Sequence, residues 1–258
     1  LAEAPEGQVS LTDPDARSMK TRGTGIVGYN VQTAVDTRHH LIVAHEVTNI
    51  GIDRSQLSSM AKQAREAMGT QELTVVADRG YYKSEEILAC HDAGIIPIVP
   101  KSVTSNATAD GRFGRADFIY DPGKDEYRCP AGQSLIWRFD SIEHGLKLHR
   151  YWSSHCQSCS LKAQCTPSTQ RRVTRWEHEE ILEAMQSRLD HAPEMMRIRR
   201  QTAEHPFGTI KLWMGTAHFL TRTLARVRTE MSLHVLAYNL KRVMALLGPA
   251  ALMAAMRA

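Results

Sequence analysis

The sequence has no uninterrupted apolar run long enough to cross a bilayer, and its start lacks the basic, apolar and small-residue succession of a secretory signal. No membrane partner is expected. Cysteine is scarce and odd in number, five in 258 residues, which argues against a disulfide framework in a chain without an export signal. Internal repeats and low-complexity runs are missing too, so neither a solenoid nor a disordered tract is indicated. Net charge is only +4, too small to name a partner by itself. What is present is a hydrophobic content of 42% with 23% charged residues, the balance of a soluble globular protein. The length suits one large domain, or one domain with a sizeable insertion.

The charge is unevenly placed. Between Arg197 and Arg242 there are nine Lys or Arg against two Glu. Such a basic stretch fits either a polyanion partner or a solvated helix face. The chain opens at Leu1 rather than Met, which reads as a fragment or a processed product.

Residues 1–25 are polar, centred on Asp13-Pro14-Asp15, and read as a linker or truncated edge. Residues 26–100 read as the first part of an α/β domain. Tyr29 to Asp36 alternates apolar and polar, and Leu41 to Val47 follows as a second strand, so a hairpin is expected. Asp53 stands in capping-box spacing with Gln56 before a helix whose face is Leu57, Met60, Ala61, Ala64 and Met68, ended by Gly69. Leu73 to Ala77 predicts a buried strand ending on Asp78. Ser84 caps a further helix that Gly94 stops, and Ile95 to Val99 is a short strand that Pro97 places at an edge. The order gives a mixed sheet covered by helices.

Residues 101–174 break this pattern with a loop-rich start, short aromatic strands and four cysteines, and read as a cysteine-containing insertion. Residues 175–258 read as helical. Trp213, Phe219, Leu220, Leu224 and Val227, then Leu233, Leu236, Leu240 and Val243, supply the apolar faces of two helices, and the apolar tail is expected to dock on the domain.

Two sets of residues carry chemistry. Asp78 ends a strand in Val75-Val76-Ala77-Asp78-Arg79-Gly80-Tyr81, where a carboxylate either starts a turn or holds a metal at a rigid edge. Arg200, Glu204 and Lys211 share one face of a single helix at about 100° per residue. They form either an ion-pair stripe or a metal-ligating carboxylate flanked by phosphate-gripping cations. Pro206 predicts a kink or fresh helix start just after Glu204.

These motifs resemble a DDE transposase of bacterial insertion sequences, in the branch named for insertion sequence eleven-eighty-two. The similarity runs through Gly28 to Gln32, Asp53, Ala77 to Tyr81, the cysteine insertion, Arg200 to Lys211 and Ala237 to Arg242. The resemblance implies an RNase H-like mixed sheet and DNA transposition by metal-dependent strand cleavage and strand transfer at transposon ends. It implies Asp78 and Glu204 as catalytic carboxylates holding Mg²⁺ or Mn²⁺, with Arg200, Lys211 and Arg197 on DNA phosphates. It further implies transposon-end and target DNA as partners, a homodimer in the active complex, and a cytoplasmic, nucleoid-associated bacterial protein. Arg197 stands where related transposases often carry Tyr.

The family's first catalytic Asp lies on a strand upstream of the Gly28-Tyr29-Asn30 stretch, so an N-terminally truncated copy is expected. Asp110-Gly111 lies in the insertion, and Asp13, Asp15 and Asp36 do not take the role. A non-catalytic DNA-binding remnant and a structural zinc module are the competing readings. Cys129, Cys156, Cys159 and Cys165 could hold a structural Zn²⁺, with Cys156-Gln157-Ser158-Cys159 at the usual two-residue gap and His149 or His155 as substitutes. Alternatively they pack as four small reduced hydrophobes, as Cys90 is expected to do.

Overall fold

The structure is a computed structural model, and it describes residues 10–20, 25–101 and 107–257. The chain divides into two compact units, one made of 1–101 with 181–258 and the other of 102–180.

In the first unit, β1 (Arg17–Lys20) and β2 (Gly25–Gly28) form an antiparallel pair within and just beyond the stretch read as linker. Asp13 and Asp15 there have structural duties. The Asp13 carboxylate accepts from the Tyr29 hydroxyl at 2.7 Å and the Thr223 amide at 3.2 Å, and Asp15 accepts from the Leu224 amide at 2.9 Å. The expected hairpin is β3 (Asn30–Val35) with β4 (Ile42–Thr48), Asn30 opposite Thr48. Its turn is held by Asp36, whose carboxylate accepts from the amides of His39 and Arg38 at 2.6 and 3.2 Å. Odd-numbered Tyr29, Val31 and Val35 pack on one core while Ala34 joins another, the two-residue period of a strand covered on both faces.

Helix α1 (Leu57–Met68) buries Leu57, Met60, Ala61 and Ala64 and ends at Gly69 in the left-handed region. Met68, expected on the same face, is exposed. The expected Asp53 cap is not made. A 3₁₀ turn at Asp53–Ser55 precedes the helix, which starts beyond Gln56 with no side-chain cap. Then come β5 (Leu73–Val76), α2 (Ser84–Asp92) and β6 (Ile95–Ile98), a parallel pair with Leu73 opposite Ile95. Ser84 is the first helical residue rather than the cap. Glu86 instead ties α2 to α1 by accepting from the Ser58 amide and hydroxyl at 2.9 and 2.6 Å.

One mixed sheet was expected. The described strands of this unit form separate pairs instead, with β3 joined only to β4 and β5 only to β6. Strand β5 is also half-buried rather than buried. The reason lies along their free edges. Consecutive residues of β3, Gln32 to Val35, and the consecutive residues Leu73 to Ala77 of and just after β5 border one cavity of about 160 Å³. A strand's face offers alternate side chains, whereas its edge offers consecutive residues. The cavity is therefore flanked by two open strand edges, and α1 also lines it.

The C-terminal helices are α4 (Glu179–His191), α5 (Met195–Gly208), α6 (Leu224–Leu247) and α7 (Pro249–Ala255); α3 (Lys162–Cys165) belongs to the second unit. Helix α5 continues through Pro206 without a fresh start, and the irregularity comes after it, as a π turn at Thr209–Trp213. The two expected apolar helices are one, α6. It buries Val227, Met231, Val235 and Tyr238 against Ile42, Val47 and Ile210, while Leu233, Leu236 and Leu240 are exposed, as are Trp213 and Leu220 before it. Helix α7 buries no residue, contrary to the expected docking of the tail. Among the described residues no helix is long and apolar enough to cross a membrane.

The second unit is an antiparallel meander, curled into one five-stranded sheet: β7 (Ile119–Asp121), β8 (Glu126–Arg128), β9 (Ser134–Glu143), β10 (Leu146–Trp152) and β11 (Val173–Trp176). Its core is small: Phe118, Tyr127, Leu135, Tyr151 and Val173. Asp125 accepts from the hydroxyls of Tyr120 and Tyr151 at 2.8 and 2.6 Å, which satisfies two of its aromatics. A short helix, α3 (Lys162–Cys165), lies between β10 and β11.

Candidate active site

The site forms where β5 ends. Asp78 leaves the strand in extended conformation and its Oδ1 accepts from the Gly80 amide at 2.8 Å, opening a 3₁₀ turn at Arg79–Tyr81. A side chain at Gly80 would crowd the carboxylates rather than strain φ. A Cβ there would stand 2.9 Å from Asp78 Oδ1 and 3.6 Å from Asp53 Oδ2. Asp53 and Asp78 thus both approach the same glycine.

Asp53 is held from β3. Its Oδ1 accepts from Asn30 Nδ2 at 2.8 Å and from Gln32 Nε2 at 2.7 Å. Gln32, only 1% exposed, also donates to Asn30 Oδ1 and accepts from the Tyr81 hydroxyl through its Oε1. Asn30 and Gln32 are two apart on a strand, so both amides face one side and grip one carboxylate oxygen. That leaves Oδ2 toward Gly80. Burial, then the charges of Asp53 and Asp78, push the Tyr81 phenol well above its usual range, so it remains a neutral donor.

Glu204 arrives on α5 through a cation that spacing did not single out. Arg199 donates to Asp78 Oδ2 at 2.7 Å, and its other terminal nitrogen lies 3.8 Å from Glu204 Oε1. One guanidinium therefore spans two carboxylates far apart in sequence. Arg199 is in phase with the buried Thr202 and Pro206, and the sequence reading, which named Arg197, Arg200 and Lys211, missed it. Asp78 and Glu204 keep 43% and 65% of their side-chain surface exposed, so the cluster is open to a ligand.

The remaining expected site residues stand apart from this bridge. Arg200 and Arg197 are exposed on α5 without an ion pair to a described residue. Lys211 lies in the π turn with its ammonium 5.7 Å from the centre of the Phe207 ring. The single-helix face proposed for Arg200, Glu204 and Lys211 is interrupted there. In the second unit, Cys129, Cys156, Cys159 and Cys165 all line one small cavity together with His155, whereas His149 instead meets Asp140 at 2.6 Å. Cys90 is fully buried, and burial pushes its thiol up to about 11. As placed, no group of three or more His, Cys, Asp or Glu among the described residues stands close enough together to hold a metal ion.

A protein-family model described as a transposase DDE domain matches residues 128–244, a little under half of the chain. The match takes in the four cysteines, Arg197, Arg199, Arg200, Glu204 and Lys211, and stops short of Asp53 and Asp78. It supports a DDE transposase, a class of enzyme that cuts and joins DNA during transposition. No curated protein and no solved structure matches the chain.

Proposed function

We propose that the chain is the C-terminal part of a DDE transposase of a bacterial insertion sequence, in the branch named for insertion sequence eleven-eighty-two, with an RNase H-like domain that cleaves and transfers DNA strands at transposon ends. The observation that supports this reading is the convergence of Asp78, from the end of β5, with Glu204, from α5, on one guanidinium beside Asp53.

The donors are carboxylate oxygens, hard ligands that suit Mg²⁺ or Mn²⁺. Asp78 and Glu204 would hold the ion. When bound, it supplies Lewis-acid stabilisation of the attacking and leaving oxygens of a phosphodiester. The chain's own residues do the rest. Arg199 offsets the mutual repulsion of the two carboxylates before an ion arrives. Asn30 and Gln32 fix the orientation of Asp53. Arg197, Arg200 and Lys211, all exposed, take phosphates of transposon-end and target DNA, as charge-assisted contacts that weaken with salt. The active complex is a homodimer on paired ends, and the protein works at the nucleoid.

The third carboxylate enters on a further strand seated between β3 and β5, supplied from outside the described residues. Two open edges on one cavity, with a helix on each side, favour such a central strand, because each unpaired edge group gains a hydrogen bond. The test compares two purified proteins on transposon-end DNA with Mn²⁺. The 258-residue chain should bind DNA without joining it. A version lengthened at its N-terminus by a strand carrying Asp should cleave and transfer, and lose this with Asp78→Asn or Glu204→Gln. Robust strand transfer by the 258-residue chain would overturn the missing-strand part of the reading. Binding without chemistry by the lengthened protein would favour a non-catalytic DNA-binding remnant.

A further inference from the structure

The second unit carries a cluster that the carboxylate site does not use. Cys129 sits in the turn between β8 and β9, Cys156 and Cys159 in a 3₁₀ turn at Ser154–Ser158 and just after it, and Cys165 at the end of α3. These are three separate corners, yet all four side chains border one cavity of about 30 Å³, room for one water-sized occupant. Cys165 lies within electrostatic reach of the other three and of Arg171.

Two local turns present the sulfurs. The Gly132 amide donates to the Cys129 carbonyl at 2.8 Å and the Cys129 amide to the Gln133 carbonyl at 3.0 Å, with Gly132 in the left-handed region. The Cys159 amide donates to the Cys156 carbonyl at 3.5 Å across the two-residue gap. Cys90 shows what a packing cysteine looks like in this chain, with 0% of its surface exposed. The other four are only half-buried; Cys129 and Cys165 pack against the aromatic core, whereas Cys156 and Cys159 do not, so core filling does not explain the set.

A separate observation points at an anionic occupant. Arg171 lines the same cavity, and its Nε is buried without a hydrogen-bond partner. Its guanidinium lies 5.1 Å from the centre of the Phe118 ring, which fixes its approach. An orphaned buried donor is costly, and a cationic one more so. Four thiolates around a divalent ion carry a net charge of −2, and an N–H aimed at their sulfurs satisfies both sides.

We propose that Cys129, Cys156, Cys159 and Cys165 bind one structural Zn²⁺, with Arg171 as the outer donor that stabilises the tetrathiolate. As placed, the sulfurs border the cavity without converging. Binding draws them to about 2.3 Å from one ion, and each thiol gives up its proton to solvent. A zinc staple also fits a unit whose aromatic core is this small.

The test uses the full chain, expressed with zinc and dialysed against metal-free buffer. About one zinc per chain is expected by elemental analysis, with release on modification of four thiols. Co²⁺ in its place should give the absorption of a tetrahedral tetrathiolate. Cys159→Ser should lose that spectrum, while Cys90→Ser and His155→Ala keep it. Arg171→Leu should weaken zinc in a chelator competition by about 10- to 100-fold, with the exposed neighbour's Arg172→Leu unchanged. Folded protein with less than about a tenth of an equivalent of zinc and four freely titrating thiols would overturn the site. Full affinity in Arg171→Leu would remove the outer donor, and a His155→Ala loss would replace one Cys ligand by His.

Discussion

The carboxylate site and the thiol cluster assemble their donors in opposite ways. The four cysteines fall between residues 129 and 165, and a meander with short turns brings them to one cavity. Asp53, Asp78 and Glu204 span more than half the chain and meet only because α5 returns to the end of β5. A locally encoded cluster needs one ion to complete it. A remotely encoded one needs scaffolding, and here Asn30, Gln32 and Gly80 supply it. The difference teaches that the thiol cluster should fail by losing its ion, and the carboxylate site by losing its neighbours.

The largest expected effect separates the two. Stripping zinc with a strong chelator should abolish hydrogen-exchange protection in β9 and β10, since structural zinc contributes on the order of 10 kcal/mol of binding energy to folding. Protection in α1 and β5 should persist. Loss of protection in both units together would break the contrast.

Gly80→Ala comes next. Its Cβ would stand 2.9 Å from Asp78 Oδ1, so the half-exposed Asp78 side chain must shift, and weakened Mn²⁺ binding is expected with little change in the urea midpoint. A cost of about 1–3 kcal/mol is expected for Gln32→Leu, which strands the buried Tyr81 hydroxyl and removes a donor from Asp53. An unchanged urea midpoint in Gln32→Leu would show that β3 does not support the site.

Arg199→Ala should change stability by less than about 1 kcal/mol, because both of its carboxylate partners are well exposed. Mn²⁺ affinity should rise, since the competing cation is gone. A fall in Mn²⁺ affinity would instead make Arg199 a support that the ion requires.

The smallest effect concerns acid. Glu230 is held below its usual value: burial pushes it up, but the Thr221 hydroxyl and the Leu220 and Thr221 amides more than offset this. With the folded pKa below the unfolded one, the stabilisation is present above the ordinary glutamate range and is lost as pH falls through the folded value. Glu230→Gln should flatten that part of an acid-unfolding curve without touching zinc content.

Much of the fold was legible because its periods were unambiguous. Tyr29 to Asp36 alternates, and α1 carries a single apolar stripe, so both fold as their sequences indicate. Helix α6 carries two stripes. Leu233, Leu236 and Leu240 repeat as helically as Val227, Met231, Val235 and Tyr238, and periodicity cannot choose which faces inward. Asp53 departs from its sequence pattern for a related reason. Its position before a helix satisfied the capping rule, but the amides of β3 compete for the same oxygen and win.

Chemistry set by residue type and short spacing was determined by the sequence alone: the strand-ending Asp78, the carboxylate Glu204 among cations, and the cysteine pair with its two-residue gap. Only the tertiary structure decided that Arg199 rather than Arg200 bridges the carboxylates, that Asp53 joins them, and that Arg171 lines the cavity the thiols border. The physical reason is range. A turn or a helical period acts over a few residues, whereas a guanidinium finds its partners through packing that local sequence does not encode.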